Sequence, residues 1–249
     1  MSDLLTLEKL SVAIGGRTVV RDVSFEMGRE RIGIVGESGA GKSMLGRAIM
    51  RLLPRGATMT GRVLFDGAEF TPALRGRRVA LVLQDPRFSL NPAMAVGDQI
   101  AEVLRTHRGF SSRDAKQQTM RLLDSVRVRE PDAVYGRYPH QLSGGMGQRA
   151  MIAMMLAPDP DLLIADEPTS ALDASVAGGV LGLLDAEISR RGMGIVLISH
   201  DLDLVASFCD RVMVMKDGEI VETRAARDLA AAEHPYTRQL MAARLKLDA

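Results

Sequence analysis

Arg31-Ile-Gly-Ile-Val35-Gly36-Glu37-Ser38-Gly39-Ala40-Gly41-Lys42-Ser43 joins a short apolar, β-branched run to a glycine-rich turn. The turn opens onto Met44, Leu45, Ala48, Ile49 and Leu52 at helical spacing. Arg31 to Val35 reads as a buried strand, and the helix it leads to is expected from Lys42 to Leu53, where Pro54 stops the pattern. Every fixed position of the pattern G-x-x-x-x-G-K-S is met, in the strand-to-helix context that the pattern requires. The physical reading is a phosphate cradle. Its glycines let successive backbone N–H groups point inward, and the helix N-terminus adds partial positive charge. Gly36, Glu37, Ser38, Gly39, Ala40, Gly41, Lys42 and Ser43 are therefore candidates for binding a nucleotide. Lys42 reaches the β- and γ-phosphates, and the Ser43 hydroxyl is a Mg²⁺ ligand. The bland alternative is a glycine-rich turn with no ligand.

Outward from this stretch, Leu4 to Leu10 and Thr18 to Phe25 read as strands joined by a tight turn at Gly15-Gly16. Strand-like runs follow at Arg62 to Phe65 and Arg78 to Leu83. From about Val96 to Asp132 the chain is charged and helix-forming, a polar helical insertion. Strands and helices then alternate through Asp161 to Ala165, Val176 to Ile188, Gly194 to Ser199, Leu202 to Phe208 and Val212 to Met215. This alternation predicts an α/β fold around a mainly parallel sheet covered on both faces. Arg227 to Lys246 reads as two short helices broken at Pro235.

Composition narrows the function. Of 249 residues, 46% are apolar and 25% charged, which places the chain among folded globular proteins. The 32 Lys and Arg nearly cancel the 31 Asp and Glu, so the basic excess of a nucleic-acid binder is missing. With Cys209 the only cysteine, neither an internal disulfide nor a cysteine-based metal cluster is expected. Met1 to Leu10 has neither a basic n-region nor an apolar h-region, so no secretory signal is expected. The longest apolar run, roughly Ala150 to Pro158, is far short of the ~20 residues of a membrane helix.

Three further places carry chemistry. Leu162-Leu-Ile-Ala-Asp166-Glu167 is an apolar strand delivering two carboxylates at its carboxyl end, the edge where open α/β sheets place ligands. Asp166 suits Mg²⁺, and Glu167 suits a general base that polarises an attacking water; a solvated strand end is the alternative. His200 follows the strand Gly194 to Ser199. A lone histidine there is ordinarily structural, but beside a phosphate cradle it becomes a candidate donor to charge developing on the γ-phosphate. Gln84, after Val82-Leu83, is similarly placed for Mg²⁺ or water. Leu142-Ser143-Gly144-Gly145-Met146-Gly147-Gln148 opens a helix, and reads as an N-cap or a second anion site.

These motifs, in this order, resemble the nucleotide-binding domain of ABC transporters, and the resemblance runs over nearly the whole chain. It places Walker A at Gly36 to Ser43, the Q-loop at Gln84, the signature at Leu142 to Gly145, Walker B at Asp166 and Glu167, the D-loop at Ser170-Ala-Leu-Asp173, and the switch at His200. It implies an α/β P-loop NTPase of ABC type, one domain over 1–249. An N-terminal antiparallel β-subdomain, a helical subdomain at about 86–157 and short C-terminal helices at about 224–246 complete the expected organisation. It further implies Mg²⁺-dependent ATP hydrolysis by head-to-tail dimers, in which Ser143, Gly144, Gly145 and Asp173 complete the partner's nucleotide site. The partner ATPase is identical or paralogous. Membrane permease subunits and, indirectly, an extracytoplasmic solute-binding protein are the other expected partners, with the chain peripheral on the cytoplasmic face of the membrane.

Gln84-Asp-Pro86, Leu90-Asn-Pro92, Tyr138-Pro-His-Gln141, Met146 and His234-Pro-Tyr-Thr237 resemble the peptide and nickel importer branch. An end at Ala249 without a cysteine-bearing extension is similar to nickel-type or metal-chelate importer subunits. An ABC-type ATPase working on DNA or ribosomes is the alternative, disfavoured by the balanced charge. His107, His140, His200 and His234 are scattered, so no transported-metal site is expected here. One departure is Ile14, at the position where the family commonly stacks an aromatic residue on adenine.

Overall fold

A computed structural model describes residues 3–85, 89–170, 172 and 174–245. The chain divides into two compact units, one formed by 1–72 with 194–249 and the other by 73–193.

The first unit holds two sheets. In one, β1 (Leu5–Ile14), β2 (Arg17–Met27), β4 (Ala57–Phe65) and β5 (Ala68–Glu69) lie in the antiparallel order β2-β1-β4-β5. Gly15 and Gly16, with φ of 56° and 80°, close the β1–β2 hairpin in the left-handed region. In the other, β3 (Arg31–Val35) pairs in parallel with both β8 (Gly194–Ile198) and β9 (Arg211–Lys216), and β9 pairs antiparallel with β10 (Glu219–Ala225). β8 is buried at all five positions, the near-continuous apolar pattern of a strand covered on both faces. Strand β10 has no counterpart in the sequence pattern: its Glu, Thr and Arg residues are those of a half-exposed edge and mask the strand periodicity.

Helix α1 (Lys42–Ile49) buries Leu45, Ala48 and Ile49 and is shorter than expected. Arg51 adopts φ 51°, its N–H donates to the Ala48 carbonyl and that of Leu52 to the Arg47 carbonyl. This Schellman closure ends the helix before Pro54 is reached. Helix α7 (Leu202–Phe208) lies directly on β3, so close to Gly33 that a methyl group there would run into Val205. Burial pushes the Cys209 thiol up to about 12, with Asp210 adding to the effect and Arg31 opposing it, so this cysteine is a packing residue. At the C-terminus, Pro235 starts a helix instead of breaking one: α8 spans Pro235–Leu245, preceded by a 3₁₀ turn at Ala226–Ala231. Proline's missing N–H costs nothing in a first turn.

The second unit pairs β6 (Val79–Val82) in parallel with β7 (Leu162–Asp166). The expected helical insertion resolves into α2 (Val96–Arg108), α3 (Ser112–Ser125) and α4 (Pro131–Tyr135). Gly109 and the Ser111 cap separate the first two. Helices α5 (Gly144–Leu156) and α6 (Ala174–Arg191) complete it. No helix among the described residues is long and apolar enough to cross a membrane.

Candidate functional site

Each unit gathers one set of the motif residues at a carboxyl sheet edge. In the first, β3 and β8 run side by side with Ile34 opposite Ile198, and the Ser199 N–H donates to the Ile34 carbonyl over 3.1 Å. The loop at Gly36 and the exposed His200 therefore leave the sheet at neighbouring strand ends. Asp201 caps α7 by accepting from the N–H groups of Asp203 and Leu204, which fixes the turn just past His200.

The loop itself is over-determined. Gly36 and Gly41 have φ of 154° and 103°, and a side chain at either would strike the backbone, at the Met215 carbonyl and the Val19 carbonyl respectively. Lys42 is 6% exposed, and its ammonium donates to the Gly36 and Glu37 carbonyls at 2.7 and 2.9 Å. A buried ammonium that donates to carbonyl groups of its own loop, at a helix N-terminus without side-chain cap or first-turn acid, forms an electropositive, donor-rich cradle.

In the second unit Val82 lies opposite Ala165, so Gln84 and the pair Asp166–Glu167 also emerge at one edge. Asp166 is buried; Gln84 is exposed. Glu167 takes a left-handed φ of 47°, rare for a residue with a side chain and worth a cost of roughly 1–3 kcal/mol. Ser170 holds that turn by donating both its N–H and its hydroxyl to the Glu167 carbonyl, at 3.3 and 3.1 Å. The strained turn has no signature in the sequence, because glutamate gives no hint of positive φ.

Ser143 caps α5, its hydroxyl accepting the Met146 N–H at 3.4 Å. Gly144 opens the helix. Gly145 is where the helix meets Val176 of α6 so closely that a methyl group would clash with it. Asp173 lies outside the described residues. Tyr138-Pro-His-Gln141 is a 3₁₀ turn in which Gln141 accepts the Tyr138 N–H at 2.8 Å and Tyr138 stacks on His140. Buried Gln99 shapes the Leu90-Asn-Pro92 loop by accepting the Asn91 N–H and donating to the Asn91 and Met94 carbonyls. These loops, with Leu142, Ser143 and Leu172, line a groove of about 560 Å³. A larger cavity of the first unit, about 1240 Å³, is lined by none of the motif residues.

The donor set suits a magnesium nucleotide. Among the described residues no group of three or more His, Cys, Asp or Glu could cage a metal. A serine hydroxyl and an aspartate carboxylate are donor types that Mg²⁺ takes when phosphate oxygens and waters fill its other positions.

A buried parallel strand that feeds a glycine loop and helix in one unit, and a buried parallel strand that ends in paired carboxylates in the other, are the elements of a P-loop NTPase. The ABC transporter family model matches residues 20–170, and the chain belongs to that family. It is 42% identical over 261 residues to the glutathione import ATP-binding protein GsiA of Escherichia coli O6:H1, covering 97% of this chain and 42% of that protein. It is 44% identical over 258 residues to the peptidoglycan transport ATP-binding protein YejF of Agrobacterium fabrum, covering 98% of this chain and 47% of that protein. The chain thus spans less than half the length of these curated relatives. Among solved structures it resembles cbiO1 of Clostridium perfringens, part of the ABC transporter complex cbiONQ, at 25% identity and TM-score 0.78, over 93% of this chain and 92% of that one. The ATP-binding cassette MJ0796, in a dimeric post-hydrolysis state bound to ADP and Pi, is 26% identical with TM-score 0.79, over 90% of this chain and 99% of that one.

Proposed function

We propose that this chain is the ATP-binding and ATP-hydrolysing part of an ABC importer of the peptide and nickel branch, peripheral on the cytoplasmic face of the membrane. The observation that carries this reading is the buried Lys42 ammonium turned into the Gly36–Ser43 loop. In this reading the loop N–H groups and Lys42 hold the β- and γ-phosphates of ATP. Asp166 and Ser43 ligate Mg²⁺, which supplies charge neutralisation on the phosphates. Glu167 accepts a proton from the attacking water, His200 steadies charge at the γ-phosphate, and Gln84 orients water or metal. Ser143, Gly144, Gly145 and Asp173 serve the nucleotide held by a second subunit, identical or paralogous. Contact by two subunits with one γ-phosphate gives ATP the differential affinity that closing a dimer requires. The apolar groove at Leu90, Pro92 and Leu142 suits transmission to permease subunits, with a solute-binding protein acting through them.

The relatives' names favour glutathione or peptidoglycan-derived cargo over nickel. A role on DNA or ribosomes is disfavoured by those same names and by the balanced charge. The test is MgATP binding and hydrolysis by the chain and by Lys42→Ala, followed by purification of the membrane complex and assay of its ligand-binding subunit against glutathione, peptides and nickel. Wild-type nucleotide affinity in the Lys42→Ala variant sinks the site assignment.

A further inference from the structure

The phosphate loop is tied to the C-terminal helix through one peptide group. The Glu37 N–H donates to the Tyr236 hydroxyl over 3.0 Å, and the carbonyl of the same peptide, that of Gly36, accepts Lys42 Nζ over 2.7 Å. In a trans peptide these two groups point in opposite directions, so Tyr236 and Lys42 grip one plane from its two sides. Tyr236 is 5% exposed and has little freedom to leave: the Lys216 ammonium lies 4.9 Å from its ring centroid, and its own N–H donates to His234 Nδ1 at 3.2 Å. The start of α8 is in turn fastened to β10. Glu222 accepts the N–H groups of Glu233 and His234 at 2.8 and 3.3 Å, and Arg224 bonds both Glu222, at 2.6 Å, and Glu233, at 2.8 Å.

We infer that Tyr236 is a positioning residue for nucleotide binding, setting through the Gly36–Glu37 peptide the place at which Lys42 meets the phosphates. The inference rests on the reading of Gly36–Ser43 as the ATP site. An N–H engaged by the phenol polarises its own carbonyl toward the ammonium, and the fixed plane keeps that carbonyl within reach. Removing the hydroxyl leaves the ring packing and the Lys216 contact in place but frees the peptide to rotate.

The test is MgATP affinity of the full chain, with a fluorescent ATP analogue as probe, beside the ¹⁵N–¹H resonance and hydrogen exchange of the Glu37 amide. Tyr236→Phe is expected to weaken binding about 3- to 10-fold, the worth of one neutral hydrogen bond, to shift the Glu37 amide resonance and to speed its exchange. In a Glu37→Pro background, which has no N–H to lose, Tyr236→Phe is expected to cost nothing further; if that background does not fold, the Glu37 resonance and exchange in Tyr236→Phe alone decide. Wild-type affinity in Tyr236→Phe, with Lys42→Ala unable to bind, overturns the role of Tyr236 and leaves the ATP site standing. Wild-type affinity in Lys42→Ala overturns both. A lower Tm in Tyr236→Phe with an unchanged Glu37 amide also overturns it, because the tyrosine is then only a packing residue.

Discussion

Gln148 Nε2 donates to the Pro168 carbonyl over 2.5 Å, pinning the helix that begins at the Ser143–Gly145 turn to the residue just past Glu167. Gln148 is 1% exposed, and its Oε1 has no hydrogen-bond partner among the described residues. Replacing it with leucine strips the Pro168 carbonyl of its donor. The expected cost is about 1–3 kcal/mol, or a Tm lower by several degrees in a chain of this size. Because the left-handed turn at Glu167 adjoins that bond, ATP hydrolysis is expected to fall further than stability alone explains. Calorimetry and a steady-state ATPase assay on Gln148→Leu check both effects.

Glu167→Gln keeps the shape of the side chain and removes its basicity. ATP binding is expected to persist while turnover falls roughly 10²- to 10⁴-fold, and a closed dimer accumulates that sizing chromatography with ATP detects. Hydrolysis at the wild-type rate in this variant removes Glu167 from the mechanism.

Glu222 gives the fold an acid-sensitive joint. Burial raises its pKa, but bonding from the Arg224 guanidinium and the N–H groups of Glu233 and His234 outweighs burial, with the Thr237 hydroxyl also close by. Together they hold the carboxyl at about 2. The Thr237 oxygen itself sits outside good hydrogen-bond geometry. A carboxylate lowered by folding contributes stability fully above its unfolded pKa and loses it as pH falls through the folded one. Wild type is therefore expected to lose its Tm advantage over Glu222→Gln between pH 4.5 and about 2. A constant difference across that range contradicts the assignment.

Ile14 ends β1, opposite Arg17 and Ala57. An isoleucine retains apolar contact with a base but not stacking, which is worth roughly 1–3 kcal/mol per base. Phosphate contacts, charge-assisted and at about 1.5–3 kcal/mol each, then dominate affinity. The chain is expected to bind ATP and a pyrimidine triphosphate with similar affinity in competition assays, and strong adenine discrimination refutes this. Replacement of Ile14 by tyrosine is expected to restore purine preference.

The elements read most directly from sequence were those whose side chains carry one unambiguous pattern. Ile32 to Val35 and Gly194 to Ile198 are buried at every position, so none of them carries a polar side chain. The edge strand Glu219–Ala225 carries no such pattern, because an edge tolerates charge on one side, and Pro235, which reads as a breaker, begins a helix, because proline's missing N–H costs nothing in a first turn.

What the sequence by itself determined is the chemistry available: the glycine loop with Lys42 and Ser43, the carboxylates Asp166 and Glu167, and the Ser143–Gly145 turn. Phosphate binding at a helix start depends on residue types at fixed local spacing, and local spacing is visible in one dimension. Only the tertiary structure decided how those groups are held. The left-handed turn of Glu167, the Gln148–Pro168 bond and the Tyr236 grip on the Glu37 amide join residues through backbone atoms. Every residue but proline carries the same N–H and every residue the same carbonyl, so no letter of the sequence marks which will be used.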